Sequence, residues 1–114
     1  MSKGLNFRTF EQPTFPLYMN DAEETLFTVT SPTVALVERL EANQDTIVGI
    51  LRKGDQESLD EMWQLAADLI SCNREHRPVT VAELKGEYRM TYPMFVAFWL
   101  YYMEFLNEIK QEKN

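Results

Sequence analysis

The spacing of apolar residues changes character several times along the chain. Residues 14–30, TFPLYMNDAEETLFTVT, hold two runs rich in aromatic and β-branched residues around the polar stretch NDAEE. Such runs flanking turn-forming residues predict a β-hairpin. Pro16 has no N–H to donate and predicts an edge strand. Leu26 and Phe27 interrupt strict alternation, so the pattern leaves the register open.

Beyond residue 30 the period becomes helical. Val34, Val37 and Leu40, with Leu36 beside them, predict a helix that Ser31 caps and Pro32 opens. The pattern continues through Ile47, Ile50 and Leu51, weakened at Gly49 and stopped at Gly54. A further helix is expected from about Ser58 to Asn73. Its stripe is Leu59, Met62, Trp63, Ala66, Leu69 and Ile70, and Ser58 with Glu61 forms a capping box. Pro78 forbids its continuation, which makes CNREHRP a polar connector. Thr80 and Glu83 form a second capping box and open a short helix that closes near Gly86. The last helix is capped by Thr91 or Tyr92, has Pro93 at its first position and runs to about Lys110. The expected fold is α+β and mostly α: an N-terminal β-hairpin (14–30) followed by about four helices (32–110) in a small bundle. All of it forms one domain over 1–114, with 1–12 and 111–114 flexible.

The last helix is apolar on nearly every side. Phe95, Phe98, Trp99, Tyr102 and Phe105 share one broad face, and Leu100, Tyr101, Met103 and Leu106 cover much of the rest. From Pro93 to Met103 the apolar run is uninterrupted. At 1.5 Å per residue it spans roughly 16 Å, about half a bilayer core, so a membrane span is not expected. The first face reads as a central core element. The second face and the methionines Met90, Met94 and Met103 read as a surface that meets another chain, because methionine and aromatic residues favour adaptable interfaces.

The 114 residues carry a net charge of −7. That balance disfavours nucleic acid and anionic membranes and suits a basic partner. The outline of a helix–turn–helix over residues 80–102 does not change this, since its second helix offers Phe, Trp and Tyr where bases and phosphates need polar and basic groups. Cys72 is the one cysteine, which fits a reducing cytoplasm. The stretch MSKGLNFRTFEQ has no apolar core of signal-peptide length, so secretion by that route is not expected. Glycine-rich phosphate loops and paired Cys or His ligands are missing from the sequence. Asp68, Cys72 and His76 are spaced four apart, as ligands on one helix would be, but the helix is expected to end near Asn73 and no fourth ligand follows. Cys72 with His76 as nucleophile and base lacks an orienting third group. Asp55, Glu57, Asp60 and Glu61 sit where a helix dipole favours negative charge.

A hairpin followed by SPTVALVERLEA, then MWQLAADLISCNREHRPVTVAEL, then an aromatic helix ending FWLYYMEFLNEI resembles the tail assembly chaperones of long-tailed (siphovirus-type) bacteriophages, particularly those of Gram-positive hosts. The likeness runs from about residue 14 onward and is closest in LAADLISCNRE, its connector and VTVAEL. It implies a non-catalytic protein without cofactor or metal. Such a protein works in the host bacterial cytoplasm, binds the tail tape measure protein before the tube polymerises around it, and is absent from the mature virion. It also implies a longer frameshifted form of the same chain, with which the ending QEKN is compatible, and a homo-oligomer. The residues expected at the partner or oligomer interface are Met94, Phe98, Trp99, Tyr101, Tyr102, Met103 and Phe105. Two other readings stand beside it. An acidic inhibitor that mimics DNA would spread its acids over one face, whereas here they are interspersed with Lys and Arg. A structural head–tail connector subunit would stay in the particle.

Overall fold

The structure is a computed structural model that describes residues 4–53 and 59–111. It is α+β and mostly α: the hairpin β1 (Thr14–Tyr18) and β2 (Leu26–Thr30), then α1 (Val34–Ala42), α2 (Gln44–Lys53), α3 (Asp60–Ile70), α4 (Val81–Lys85) and α5 (Tyr92–Gln111).

The strands pair antiparallel, with Phe15 opposite Val29 and Leu17 opposite Phe27. That register turns Phe15, Phe27 and Val29 into the core and leaves Leu26 outside, which settles the broken alternation. Pro16 lies opposite Thr28. The N–H of Thr28 donates to Glu75 and its carbonyl accepts from Arg74, so both point away from β1. In an antiparallel ladder the opposed residue points outward too. The missing N–H of Pro16 therefore falls on the open edge, where it removes no hairpin bond. The other edge of β2 is covered by the α3–α4 connector, through a bridge from Val29 to Asn73.

Asn73 organises that connector. It is buried, its Nδ2 donates to the carbonyls of Ile70 and Arg77 at 2.7 and 2.8 Å, and its Oδ1 accepts the Arg77 N–H at 3.0 Å. Every polar atom of the side chain is thus paired, as a buried amide requires.

Three boundaries differ from expectation. Thr33, not Ser31, caps α1, accepting from the Leu36 N–H at 3.3 Å. The cause is Thr30, whose N–H and hydroxyl both donate to the Cys72 carbonyl and keep the chain extended past Ser31. The long second element is two helices, because the Asn43 side chain donates to the Arg39 carbonyl and its backbone leaves the helical region at φ −106° and ψ 14°. Asparagine competes with helix propagation in this way. Third, α3 ends at Ile70, where Ser71 turns its hydroxyl onto the carbonyls of Ala67 and Val79. The expected stop at Gly54 and the Ser58–Glu61 capping box lie outside the described residues. The Thr80–Glu83 capping box is present, with Gly86 closing α4. Thr91 caps α5, its hydroxyl accepting from the Met94 N–H at 3.4 Å.

The most enclosed helix is α3 rather than the aromatic one. Seven of the eleven α3 residues are buried, against six of twenty in α5. Leu65 and Ala67 widen its stripe beyond the expected set. Trp63 stacks on Phe95 at 4.2 Å, which locks α3 to α5. On the surface, Arg39 of α1 pairs with Asp68 at 2.6 Å and Glu61 at 3.2 Å on α3.

Candidate protein-binding groove

The buried face of α5 is Phe95, Phe98, Trp99, Tyr102, Phe105 and Leu106. Four of the residues expected at an interface, Phe98, Trp99, Tyr102 and Phe105, are therefore inside this chain's own core. Met94 and Met103 are half-buried, and Tyr101 is 54% exposed. Leu100, also 54% exposed, lies beside it, whereas Leu106 turns inward. The helix is apolar all round because one face fills the core and part of the other stays open.

Tyr101 opens onto a groove of about 480 Å³ between β1 and α5. One wall is the strand, Phe15 to Tyr18; the other is Met94, Ala97, Phe98 and Tyr101 of α5, with Met90 at the end. Among the described residues, none that lines it is charged. Phe15 and Phe98 are buried and make the floor, while Pro16, Ala97 and Tyr101 are exposed along the lip and Tyr18 stands 70% exposed at one corner. The floor is fixed by rings: Phe15 meets Tyr101 at 5.1 Å and Phe105 at 4.7 Å. The Met90 end is softer, since a thioether side chain repacks readily. A volume of this size takes several apolar side chains. The central proline on the open edge of β1 works against an added strand, so side-chain insertion suits the groove better than β-augmentation.

A separate, polar hollow is lined by Asn20, Asp21, Ala22, Glu23, Glu87 and Arg89. Asp21 accepts from the Thr25 hydroxyl and N–H, which hold its carboxylate below the usual range.

The sequence constellations with catalytic or metal-binding overtones are occupied otherwise. Asp68 takes hydrogen bonds from Arg39 and from Gln64. Cys72 is half-buried, and burial pushes its thiol up. His76 is exposed in the left-handed region at φ 55°. Among the described residues no three His, Cys, Asp or Glu side chains gather as a metal site would require. Of the acidic cluster, Asp60 and Glu61 stand in the first turn of α3, and Asp55 and Glu57 lie outside the described residues. Among the described residues no helix is long and apolar enough to cross a membrane.

The β1 wall, Pro16 to Tyr18, was missed by sequence reasoning, as were Ala97 and the exposed Leu5, Phe7 and Phe10. The available signal was Tyr18, an aromatic residue whose strand position puts it opposite the buried side. Comparison with family models, with curated proteins and with solved structures gives no match.

Proposed function

We propose that the chain is a non-catalytic tail assembly chaperone of a long-tailed phage, which holds the tape measure protein through the β1–α5 groove until the tail tube forms around it. The observation that carries this reading is an uncharged, aromatic-floored groove with methionines at one end, on a chain of net charge −7. A long apolar helix is recognised by the side chains of one of its faces, and a groove of this shape accepts such a row. Adaptable methionines let one site take successive segments of a repetitive partner. The acidic exterior keeps the loaded complex from aggregating and favours a basic or neutral partner. In this reading the protein acts in the host cytoplasm, leaves before the virion matures, and has a frameshifted longer form as a second partner.

The test is co-expression with the tape measure protein of the same gene cluster, followed by affinity capture. Co-purification that Ala97→Glu abolishes supports the reading. A tape measure protein that stays insoluble and unbound beside abundant folded chaperone refutes it.

A further inference from the structure

A second cavity, of about 720 Å³, is shared by three stretches of chain: residues 7–12 of the arm ahead of β1, residues 30–33 at the β2–α1 junction, and residues 71–76 of the α3–α4 connector. Its lining sorts charge. Arg8, Arg74 and His76 face it, whereas Glu11 and Glu75, the two acids within the same stretches, do not. In the connector the cause is visible. Thr28 donates its N–H and its hydroxyl to the two carboxylate oxygens of Glu75, each at 2.8 Å, which ties that side chain to β2. Asp68, within electrostatic reach of Cys72 on the cavity wall, is paired with Arg39 at 2.6 Å. Among the described residues the side chains of Arg74 and His76 have no partner, and that of Arg8 meets only the neutral Asn6 side-chain oxygen at 3.5 Å. On a chain of net charge −7, cations gathered without a carboxylate make a local site for an anion.

The arm supplies a second quality. Phe7 and Phe10 line the same cavity, 76% and 56% exposed, with their rings edge to face at 6.2 Å. That arrangement leaves ring faces open for a flat group to stack on. The turn that holds them is fixed by Asn6, which accepts the Arg8 N–H on its side chain at 3.0 Å and the Thr9 N–H on its carbonyl at 3.2 Å.

We infer that this cavity binds a nucleoside monophosphate, with the phosphate held by Arg74, His76 and Arg8 and the base laid against the Phe7–Phe10 pair. Guanidinium groups match phosphate oxygens in geometry as well as charge, and any base can stack on an aromatic ring. The volume lies in the range of small-molecule sites. Inorganic phosphate would leave the two rings unused. A nucleic-acid strand fits less well, because its further phosphates would leave the three cations and meet an acidic chain. The cavity shares no lining residue with the β1–α5 groove, so the inference stands or fails without the chaperone reading.

Titration of the full chain with AMP, followed by heteronuclear NMR, provides the test. Saturable binding is expected with a dissociation constant of about 0.1–1 mM, as suits exposed cations. The amides that move should be those of residues 7–12, 31–33 and 71–76, while those of residues 94–101 stay in place. Adenosine alone and inorganic phosphate alone should each bind about tenfold more weakly than AMP. Arg74→Gln and the double variant Phe7→Ser, Phe10→Ser should each weaken AMP binding by about fivefold or more. These side chains are exposed, and the Arg74 N–H that donates to the Thr28 carbonyl survives the substitution. His76→Asn, which keeps a residue tolerant of the left-handed φ of 55°, should weaken it too. Circular dichroism checks that each variant is folded. The inference is overturned if AMP, GMP, CMP and UMP all fail to saturate by about 10 mM, if the shifts fall outside the cavity, or if Arg74→Gln binds AMP unchanged. Phosphate or adenosine binding as tightly as AMP overturns it as well. So does a phosphate-ended oligothymidylate that binds more tightly than its mononucleotide, since the ligand would then be a strand end.

Discussion

Removing one oxygen from the middle of the core should make this protein more stable. Tyr102 is fully buried, ringed by Phe15, Phe98 and Phe105 at 5.5–6.1 Å, and its hydroxyl has no hydrogen-bond partner among the described residues. Burial also pushes the phenol far above its ordinary range, so it stays protonated at any working pH. An orphaned buried hydroxyl costs on the order of 1–3 kcal/mol in lost hydration. Tyr102→Phe removes that cost and leaves a void of roughly 10–15 Å³, worth about 0.3 kcal/mol against it. The balance is a gain of about 1 kcal/mol. With a urea m-value of about 1.2 kcal/mol/M for a chain of this size, the unfolding midpoint should rise by nearly 1 M with m unchanged. Urea unfolding followed by tryptophan fluorescence reads this directly. A midpoint lowered by a comparable amount would show that the hydroxyl is bonded in solution, and the packing around α5 described above would then be wrong at that point.

Asn73→Ala should cost about 2–4 kcal/mol, because it strands two carbonyls and an N–H that, among the described residues, that side chain alone satisfies; thermal unfolding checks it. Phe98→Ala should cost about 3–5 kcal/mol and Tyr101→Ala, which gives up the ring contact with Phe15, about 0.5–1.5 kcal/mol, while the exposed change Ala97→Glu should move stability by less than about 0.5 kcal/mol. Chemical unfolding of the three separates floor from lip, and equal losses would erase that distinction. The hairpin should weaken in acid. Burial pushes Glu75 up, but the N–H and hydroxyl of Thr28, each at 2.8 Å, outweigh it and hold the carboxylate low, as Thr25 does for Asp21. Groups with lowered folded values stabilise the fold above the unfolded carboxylate range and lose that contribution as pH falls through it, between about pH 5 and pH 3. Urea midpoints measured across that window should drop, and Glu75→Gln should flatten part of the drop.

What the sequence revealed and what it hid follow from one distinction. Period and turn chemistry are local, so the hairpin, the Thr80–Glu83 capping box and the existence of the last helix were all legible. Leu65 and Ala67 were not, since only the surrounding elements decide how wide a helix's buried stripe becomes. The displaced cap at Thr33 depends on a bond from Thr30 to Cys72, over forty residues away, and no local rule supplies it. The groove is the extreme case. Its two walls are far apart in sequence, and Tyr18 and Tyr101 are each unremarkable alone. The aromatic helix misled for the opposite reason: its pattern shows how much apolar surface exists, but not which part the other helices leave open.

That last point bears on how the groove would choose what it binds. The floor residues Phe15 and Phe98 also hold β1 to α5, so they cannot vary to suit a partner without loosening the core. The exposed lip residues Ala97 and Tyr18 carry no such duty, while Tyr101, also exposed, shares it through its ring contact with Phe15 at 5.1 Å. Core packing and open groove surface thus alternate along one helix and one strand, a turn or a residue apart. Met94 stands between the two roles: half-buried, it lines the groove while its sulfur accepts the Thr91 N–H at 3.4 Å, at the first turn of α5. A side chain that enters the groove against Met94 therefore presses on the helix cap as well. Binding at the methionine end should be felt at Thr91, and a partner that makes α5 exchange its first-turn amides more slowly is one that has reached this end of the groove.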